Sequence, residues 1–464
     1  TNESGREIKL RPKIISSTAT TRNTKLQIRA LYDRHVDIFP KNGTDYDDSF
    51  FAFYAREKVN DKVVYISNRE YMGILPTGRT QMTTQMRLIA TMFVHRALFE
   101  KKHADRLHLP EVTEAMDYYH TVINYFNSLR EVGKADAQFY TEFTKYTRRL
   151  LKRVLRYRHM LECLYGYDTS FQKAELTGRL TGSEVVNELA SVAQRWNAKH
   201  RFPHPSDTGE SKWQRGTLPP NMILATNMIS VGIDVDRFNT MLINSMPRNI
   251  AEYIQASSRV ARDKEGLVIT LHNPFRLRDL SHFEKFREFH EKLYYFVEPI
   301  SITPFSTKAV DRYISLYLAT IIRHNCPELA DQESASKMNV TKAEAIAVEL
   351  MHYFETRMFR TNQLDDELKN LLTPSLKEHI ESTIRRALEQ WCQLSDNQKE
   401  ENYTLRYSYN PGFRKNPPRK IKAKGLYLDI DAYEENESNS LWIVPYSLRT
   451  VESEAILSVI EHKK

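Results

Sequence analysis

Two short apolar segments, Met222–Ala225 and Met241–Asn244, constrain the fold of this chain more than any other feature. Each is too short for a helix and is bounded by polar or turn-forming residues, which is typical of a buried strand. Apolar runs without alternation indicate strands that are covered on both faces, as in a parallel sheet. The first run also places Thr226 at the end of a strand. Together the two runs predict an α/β fold built on a parallel sheet.

An amphipathic helix is predicted directly after the second strand. Asn249 is a suitable N-cap, and Glu252 completes the pattern of a capping box. The side expected to face the sheet consists of Ile250, Tyr253, Ile254, Ser257, Val260 and Ala261. The opposite side carries Gln255, Arg259 and Arg262, whose planar donor groups suit phosphate oxygens. The alternative is the solvated face of an ordinary surface helix.

Two stretches in this region resemble signature motifs of the superfamily 2 helicases. The sequence ATNMISVGID is similar to motif V, and the sequence QASSRVAR is similar to motif VI. The chain departs from motif VI at Ser258 and Ala261, where the family usually has glycine. Both replacements are small, so close packing of the helix is retained.

The resemblance implies a motor in which two RecA-like domains close around ATP. In such helicases the arginines of motif VI act as fingers on the γ-phosphate. Here that role falls to Arg259 and Arg262, with Gln255 orienting the same surface. Gly232 and Asp234 of motif V are expected to contact the nucleotide.

Nucleic-acid contacts are expected at the ends of two strands. Residues 173–184 predict a strand, a turn and a helix, and they are similar to the family segment that binds the nucleic-acid backbone. Exposed amide groups at a helix N-terminus attract phosphate without reading sequence. The candidates are Thr177, Arg179 and Ser183, together with Thr226 of motif V. For the segment itself, the alternative is a well-capped helix.

The N-terminal segment Ile14–Thr20 predicts a strand that ends in hydroxyl residues. It resembles motif III, the S-A-T element at the end of the first RecA-like domain, with threonine where serine is usual. In the family these hydroxyls link the ATP site to the nucleic acid, so Thr18 and Thr20 are expected on the nucleotide side. Hydroxyl-rich strand ends also occur for purely structural reasons.

No G-x-x-x-x-G-K-[ST] pattern occurs in the 464 residues. The nearest match, Gly73–Thr80, has arginine in place of the lysine, a proline inside the loop and the wrong order relative to motif III. A strand-to-helix turn with Arg79 facing phosphate or solvent is preferred. ATP and Mg²⁺ are therefore expected to bind mainly to a first RecA-like domain absent from this chain. The chain would then be a fragment, or a subunit whose first domain is a separate polypeptide.

Two basic segments are further candidates for DNA contact. The predicted helix 137–162 carries a row consisting of Arg148, Arg149, Lys152, Arg153 and Arg156, for which a solvated face is the simpler explanation. Residues 403–424 contain seven basic side chains and no acidic one. They predict a basic arm whose candidate DNA-binding residues are Arg414, Lys415, Arg419 and Lys420.

The overall charge and the cysteine content restrict which partners, cellular compartment and metal sites are expected. A formal net charge of +8 and a pI near 9.0 favour a polyanionic partner. The three cysteines are far apart, which predicts a reducing compartment and neither a disulfide framework nor a zinc site. No apolar run is long enough to span a bilayer and no signal peptide is recognisable, so a cytoplasmic location without membrane contact is expected. His282 and His290 lack ligand-spaced partners, and no metal site is predicted.

The order of these features predicts the domain organisation. Residues 1–60 would be the end of a first RecA-like domain and a connector, 61–300 a second RecA-like domain with a helical insertion, 301–400 a helical domain, and 401–464 a basic arm and C-terminal extension. The expected fold class is α/β, with a RecA-like parallel sheet, a helical C-terminal domain and a small mixed extension. Four aromatic residues of the connector are expected to pack onto the second domain: Phe50, Phe51, Phe53 and Tyr54.

The run QASSRVARDKEGLVITLHNPF and the residues after it are similar to the large helicase of the bacterial DISARM anti-phage systems. This resemblance implies the C-terminal motor half of an ATP-dependent DNA helicase or translocase. Its partners would be DNA, the missing N-terminal helicase domain and a further defence-system subunit. One alternative is a non-catalytic nucleic-acid-binding module with remnant motor motifs. A weaker alternative is a protein-interaction scaffold.

Overall fold

The structure is a computed structural model. It describes residues 13–18, 20–32, 34–41, 43–45, 48, 50–156, 172–180, 182–197, 219–230, 235–299, 302–303, 305–364, 374–398, 400–407, 422–429 and 442–444. The chain divides into two compact units. Unit 1 comprises residues 1–22 and 40–299, and unit 2 comprises residues 23–39 and 300–464. The finer division into four segments stays a prediction.

Unit 1 alternates strands and helices. Its strands are β1 (Arg56–Val59), β2 (Lys62–Tyr65), β3 (Arg69–Ile74), β4 (Val122–Tyr125), β5 (Lys173–Leu176), β6 (Met222–Ala225), β7 (Thr240–Asn244) and β8 (Gly266–Leu271). Helix α1 (Thr24–Tyr32) lies in unit 2. The helices of unit 1 are α2 (Gln81–Lys102), α3 (Pro110–His120), α4 (Leu129–Gln138), α5 (Thr144–Val154), α6 (Gly182–Ala193), α7 (Ile250–Ser257), α8 (Leu277–Glu284) and α9 (Phe286–Glu291).

Strands β3 to β8 form a six-stranded sheet in the order β3-β8-β7-β4-β6-β5. All neighbouring strands in this sheet are parallel. The two apolar segments of the sequence are β6 and β7, and every residue in them is buried. The predicted α/β fold class with a parallel, RecA-like sheet is therefore confirmed.

Helices cover both faces of the sheet. Alternate residues of each strand point to opposite sides, so an all-apolar strand places apolar side chains on both faces, and each face packs against helices. On one side, Leu224 and Leu242 pack in a core formed with α2, α4 and the π-helical turn before α5. On the other side, Ile223 and Ile243 pack with α7 and with Phe289 of α9. The sheet is thus the middle layer of unit 1.

The connector before this sheet does not pack as predicted. Strands β1 and β2 form an antiparallel hairpin in which every residue is exposed. The expectation that Phe50, Phe51, Phe53 and Tyr54 are packed onto the second domain is wrong, since all are exposed, Phe50 by 95%. Because helices already cover both faces of the sheet, little apolar surface is left for these side chains.

The N-terminal segment also differs from its prediction. Residues 13–18 have no regular secondary structure, and Ile15 is 85% exposed. A strand needs a neighbour to satisfy its backbone N–H and C=O groups. No strand of the described residues pairs with this segment, so the strand predicted for motif III is not formed.

Unit 2 is mainly helical. It contains α1, α10 (Thr307–Asn325), α11 (Val340–Leu364), α12 (Pro374–Asn397) and the short strands β9 (Tyr403–Arg406), β10 (Lys422–Gly425), β11 (Leu428–Asp429) and β12 (Ile443–Val444). The indoles of Trp391 and Trp442 donate to the carbonyls of Ala335 and Ala387 at 2.8 and 2.9 Å. Tyr407, expected in the basic arm, is instead buried in this core. Among the described residues, no helix has the length and hydropathy needed to cross a bilayer.

Candidate functional site

The carboxyl ends of the six parallel strands meet at one edge of the sheet, which is where ligands bind in open α/β sheets. Thr177 follows β5 and Thr226 follows the neighbouring strand β6. The backbone N–H of Thr226 donates to the carbonyl of Leu176 at 3.2 Å. Both threonine side chains are buried. Two of the predicted nucleic-acid-binding residues thus lie side by side at this edge.

The predicted phosphate ligand Arg179 is engaged within the chain. Its Nε and Nη2 donate to the two carboxylate oxygens of Glu175 at 2.9 and 2.7 Å. The hydroxyl of Thr177 donates to the same carboxylate. Glu175 was not anticipated from the sequence, because a spacing of four residues predicts an ion pair on a helix, whereas Glu175 lies on β5 and Arg179 in the turn after it. A phosphate at this place must compete with a bidentate ion pair. Ser183 lies in the first turn of α6, but its side chain is outside the described residues.

The start of α7 differs from the predicted capping box. Asn249 occupies the N-cap position, but its side chain makes no cap hydrogen bond. Instead, the Ile250 N–H donates to a carboxylate oxygen of Glu298 at 2.8 Å. Glu252 accepts a hydrogen bond from the Tyr125 hydroxyl. A carboxylate at a helix N-terminus is favourable whichever residue supplies it, and Glu298 is too far along the chain for a local pattern to show it.

Helix α7 ends at Ser257, earlier than the sequence pattern predicts. Arg259 and Arg262 therefore lie just past the helix, and the prediction that they share one helical face is wrong. Beyond Ser257 the helical ladder gives way to tighter hydrogen bonds, from the Arg259 N–H to the Ala256 carbonyl at 3.0 Å and from the Val260 N–H to the Ser257 carbonyl at 3.4 Å. The turn is completed by Ala261, whose φ of 55° is left-handed. Its N–H donates to the carbonyl of Phe238 at 2.8 Å instead of continuing the helical ladder.

Arg259 joins the two motif segments. Its Nη2 donates to the carbonyl of Ser230. Ser230 ends a 3-10 turn that begins directly after Thr226. Within this turn, the Ile229 N–H donates to the Thr226 carbonyl at 3.1 Å. The predicted phosphate-binding arginine is therefore connected through one short turn to the predicted nucleic-acid contact.

The other two predicted catalytic residues lie near Arg259. Arg262 Nε donates to the carbonyl of Ser258 at 3.4 Å. Gln255 is on the last turn of α7, and all three side chains are half-buried. Their planar donor groups suit the terminal phosphate oxygens of a nucleotide presented from a facing domain.

Arg69 of β3 fixes the backbone between the two arginines. Its Nε and Nη2 donate to the carbonyl of Val260 at 3.1 and 2.9 Å. Nearby, the Tyr71 hydroxyl lies 3.2 Å from the hydroxyl of Ser257. No sequence pattern indicates Arg69, because its partner is a backbone carbonyl almost two hundred residues away.

Helix α3 holds the segment that follows Arg262. The Tyr118 hydroxyl donates to the carboxylate of Asp263, and this hydrogen bond raises the pKa of Tyr118 to about 12. The Tyr119 hydroxyl and the Asn239 amide both donate to the Glu265 carbonyl at 2.7 Å. These contacts make the turn carrying the arginines part of the rigid body of the sheet.

The remaining predicted residues are not gathered at this place. Thr18 is exposed and Thr20 half-buried, and in the described part of the chain no hydrogen bond joins either to the motif V and VI segments. The other predicted contacts lie outside the described residues, namely Gly232, Asp234, Arg414, Lys415, Arg419 and Lys420.

Three histidines cluster with aromatic rings behind the sheet edge. Burial lowers the pKa of His272 to about 4, and burial also lowers the pKa values of His282 and His290. The imidazoles are therefore neutral at physiological pH. Among the described residues, no group of three or more His, Cys, Asp or Glu side chains is arranged to hold a metal ion.

Comparison with solved structures shows weak likeness. The chain is 12% identical to the DUF1998 helicase MrfA bound to DNA, with a TM-score of 0.33, covering 54% of this chain and 26% of that one. It is 15% identical to a DEAD box protein from the hyperthermophile Methanococcus jannaschii, with a TM-score of 0.24, covering 48% of this chain and 40% of the other. At these TM-scores the likeness carries no further argument.

Comparison with protein families and curated proteins is more informative. The helicase conserved C-terminal domain matches residues 208–264, a span that includes β6, β7, α7 and both motif segments. The chain is 32% identical over 367 residues to DISARM protein DrmA of Bacillus paralicheniformis (strain ATCC 9945a / NCIMB 11709 / CD-2). That alignment covers 77% of this chain but only 29% of the relative. The chain is therefore similar to the helicase conserved C-terminal domain over residues 208–264 and to a DISARM protein over most of its own length, which confirms the predicted resemblance to the C-terminal part of helicases.

Proposed function

We propose that this chain is the second motor domain of an ATP-dependent DNA helicase or translocase that acts in anti-phage defence. The helicase domain match supports a motor, and the similarity to a DISARM protein supports a defence role. The net charge of +8 supports a polyanionic partner. The observation that carries the proposal is the hydrogen bond from Arg259 to Ser230, because it connects the two predicted ligand sites.

The contact suggests how nucleotide state reaches the DNA. The guanidinium of Arg259 has donors for the Ser230 carbonyl and for phosphate oxygens. When a facing domain presents a γ-phosphate, Arg259 and Arg262 would stabilise its developing charge. A shift of Arg259 toward the phosphate would weaken its hold on the turn after Thr226. Cycles of this shift would alternately tighten and release the contact between Thr226 and the DNA backbone.

The proposed motor requires partners. ATP supplies the free energy for movement, and Mg²⁺ would be held mainly by a domain with a P-loop. We propose that a first RecA-like domain, in the same or another polypeptide, faces Arg259 and Arg262. DNA and a further subunit of the defence system complete the proposed assembly.

The isolated 464-residue chain is expected not to hydrolyse ATP. It has no P-loop lysine to reach the β- and γ-phosphates, and the nearest match to a P-loop has Arg79 at that position. Phosphate release should be measured with saturating ATP, Mg²⁺ and DNA. The double variant Arg259→Ala/Arg262→Ala is the control for contaminating ATPases. Turnover by the wild-type chain that this variant lacks would contradict the prediction.

Replacing Arg69 by alanine is expected to lower the kcat of the assembled motor by roughly 10- to 100-fold, because small displacements of positioned groups have effects of this size. Arg69 holds the backbone at Val260, between the two predicted fingers. Affinity for DNA should stay unchanged.

The matched control for Arg69 is Lys62→Ala, which removes an exposed positive charge from the neighbouring hairpin strand. Arg69→Lys retains the charge but cannot donate from two positions of a planar group, and it should restore only part of kcat. Equal kcat in folded Arg69→Ala and Lys62→Ala proteins would rule out a positioning role.

A further inference from the structure

A continuous helix in unit 1 carries basic side chains that the proposed motor does not use. Helix α4, a π-helical turn (Phe139–Phe143) and α5 follow one another without a break. The rings of Phe139 and Phe143 are both buried, and the Phe143 ring lies 5.1 Å from that of Phe93 on α2. The wide turn thus keeps both rings in the core and fixes the orientation of α5.

The burial pattern of α5 separates an apolar face from a basic one. Thr147 and Leu151 are buried, four residues apart and in line with Phe143. Five basic residues are here named the α5 basic face: Arg148, Arg149, Lys152 and Arg153 on the outer side of the helix, and Arg156 just past its end. Residues three and four positions apart are neighbours on a helix, so the first four side chains form one surface, and Arg156, whose φ of 55° is left-handed, follows it in the turn after the helix.

No acidic group neutralises this surface in the part of the chain that the structure describes. Helix α5 contains no acidic residue, and its one ion pair joins Lys145 to Glu142 at 3.3 Å, beyond the named face. Like charges three or four positions apart weaken a helix. A folded helix that bears this repulsion is stabilised when an anion binds along it.

Two arginines at this surface also have unused donors. Arg87 of α2 stacks over the ring of Tyr146 at 5.8 Å and extends the positive surface. The Nε groups of Arg87 and Arg148 are shielded from solvent and have no acceptor among the described residues. Shielded N–H donors without acceptors are unfavourable, so they add to the affinity for an anion that can accept from them.

We propose that the α5 basic face binds the phosphodiester backbone of duplex DNA, at a site separate from the strand ends. From Arg148 to Arg153 the helix rises about 7.5 Å, and Arg156 lies just beyond its end, so the surface is long enough to reach more than one phosphate of a strand. Forked guanidinium groups suit phosphate oxygens. The aromatic ring of α5, Tyr146, is covered by Arg87 rather than open to bases, which disfavours single strands. Leu150 and Leu155 pack inward, so Val154 is the exposed aliphatic side chain of α5, and one valine is too little apolar surface to insert into a membrane.

The test is the salt dependence of duplex binding without nucleotide, so it does not depend on motor activity. The triple variant Arg149→Gln/Lys152→Gln/Arg153→Gln should lose about 10²-fold in duplex affinity at 0.1 M salt. The slope of log K against log salt should become less negative by about 2 to 3. Arg149→Lys/Arg153→Lys retains the charges and should keep the wild-type slope, which separates charge loss from any effect on folding.

The matched control removes three charges from the opposite side of the sheet. Lys285, Arg287 and Lys292 are exposed on and beside α9, whose Phe289 packs in the core of the other face. The control Lys285→Gln/Arg287→Gln/Lys292→Gln should leave the slope close to that of wild type. Equal slopes for the two triple variants would overturn the proposal. So would a loss of affinity confined to single-stranded DNA of the same length.

Discussion

Alanine at Arg259 or Arg262 is expected to lower the DNA-stimulated ATPase rate by about 10³-fold or more, the magnitude typical of arginine fingers. The measurement requires the full-length protein, or this chain assembled with the domain that supplies the P-loop. kcat should fall while affinity for DNA is retained, because the arginines act on charge that develops during phosphoryl transfer. The Arg259 variant also loses the contact with Ser230, so DNA should stimulate its residual activity less.

The matched control is Arg248→Ala. Arg248 is exposed and lies just before α7, close in sequence to both predicted fingers. Its removal should change the turnover by less than about twofold, as is usual for exposed surface positions. If Arg259→Ala and Arg262→Ala are folded and turn over ATP as fast as Arg248→Ala, the motif VI similarity is only architectural. A nucleic-acid-binding module with remnant motor motifs would then explain the chain better.

Replacing Arg237 by alanine is expected to destabilise unit 1 by about 3 to 5 kcal/mol, as for other buried charged pairs that lose one partner. Arg237 is 2% exposed and lies between α3, α6 and the segment after motif V. Its guanidinium donates to the Val192 carbonyl at 2.7 and 3.2 Å and to the Thr121 hydroxyl at 3.0 Å. The Asp117 carboxylate is 3.8 Å away.

Burial governs the electrostatics of this pair. It lowers the pKa of Arg237 to about 10 and raises the pKa of Asp117 from its ordinary value. Loss of hydration therefore outweighs the mutual attraction of the two groups. Alanine would leave the buried Val192 carbonyl without its guanidinium donor. The Asp117 carboxylate would keep the Trp196 N–H at 2.7 Å but lose its buried counter-charge, and these two effects are the main source of the expected loss.

Arg195→Ala is the matched control for Arg237. Arg195 is also 3.8 Å from the Asp117 carboxylate, but its side chain is 71% exposed. Its loss should change the free energy of unfolding by less than about 0.5 kcal/mol, since exposed ion pairs contribute little. Hydrogen exchange of the β4 and β6 amides during denaturation isolates unit 1 from unit 2. Equal protection in the two variants would show that Arg237 does not hold this region together.

The elements that the sequence predicts correctly are those with a local cause. The bounds of β6 match the apolar run Met222–Ala225, because burial on both faces demands apolar residues throughout. Helix α2 (Gln81–Lys102) directly follows the predicted strand-to-helix turn at Gly73–Thr80, and Thr80 caps it by accepting from the Thr83 N–H at 3.2 Å. In both cases the residues that decide the structure lie within the element or next to it.

Prediction from the sequence is wrong where the residue that determines the local structure is distant in the chain. Glu298 replaces Asn249 as the cap of α7, and Arg69 holds Val260 across the sheet. The connector residues Phe50 to Tyr54 have the aromatic composition of a packed segment, but composition does not say whether the protein offers an apolar surface for them to pack against. For the candidate site, motif spacing led to Arg259 and Thr226, whereas the turn that links them is visible only in three dimensions.

The left-handed residue Ala261 has a consequence for how motifs are recognised. A glycine in a signature usually stands for a backbone angle and not for a chemical group. Here an alanine adopts a left-handed angle where the family pattern has glycine, at a cost of about 1 to 2 kcal/mol that neighbouring contacts offset. Relatives with alanine, asparagine or serine at this position can therefore keep the same turn. A motif search that requires glycine at this position would miss such relatives, whereas a structural search for the left-handed dihedral angle would find them.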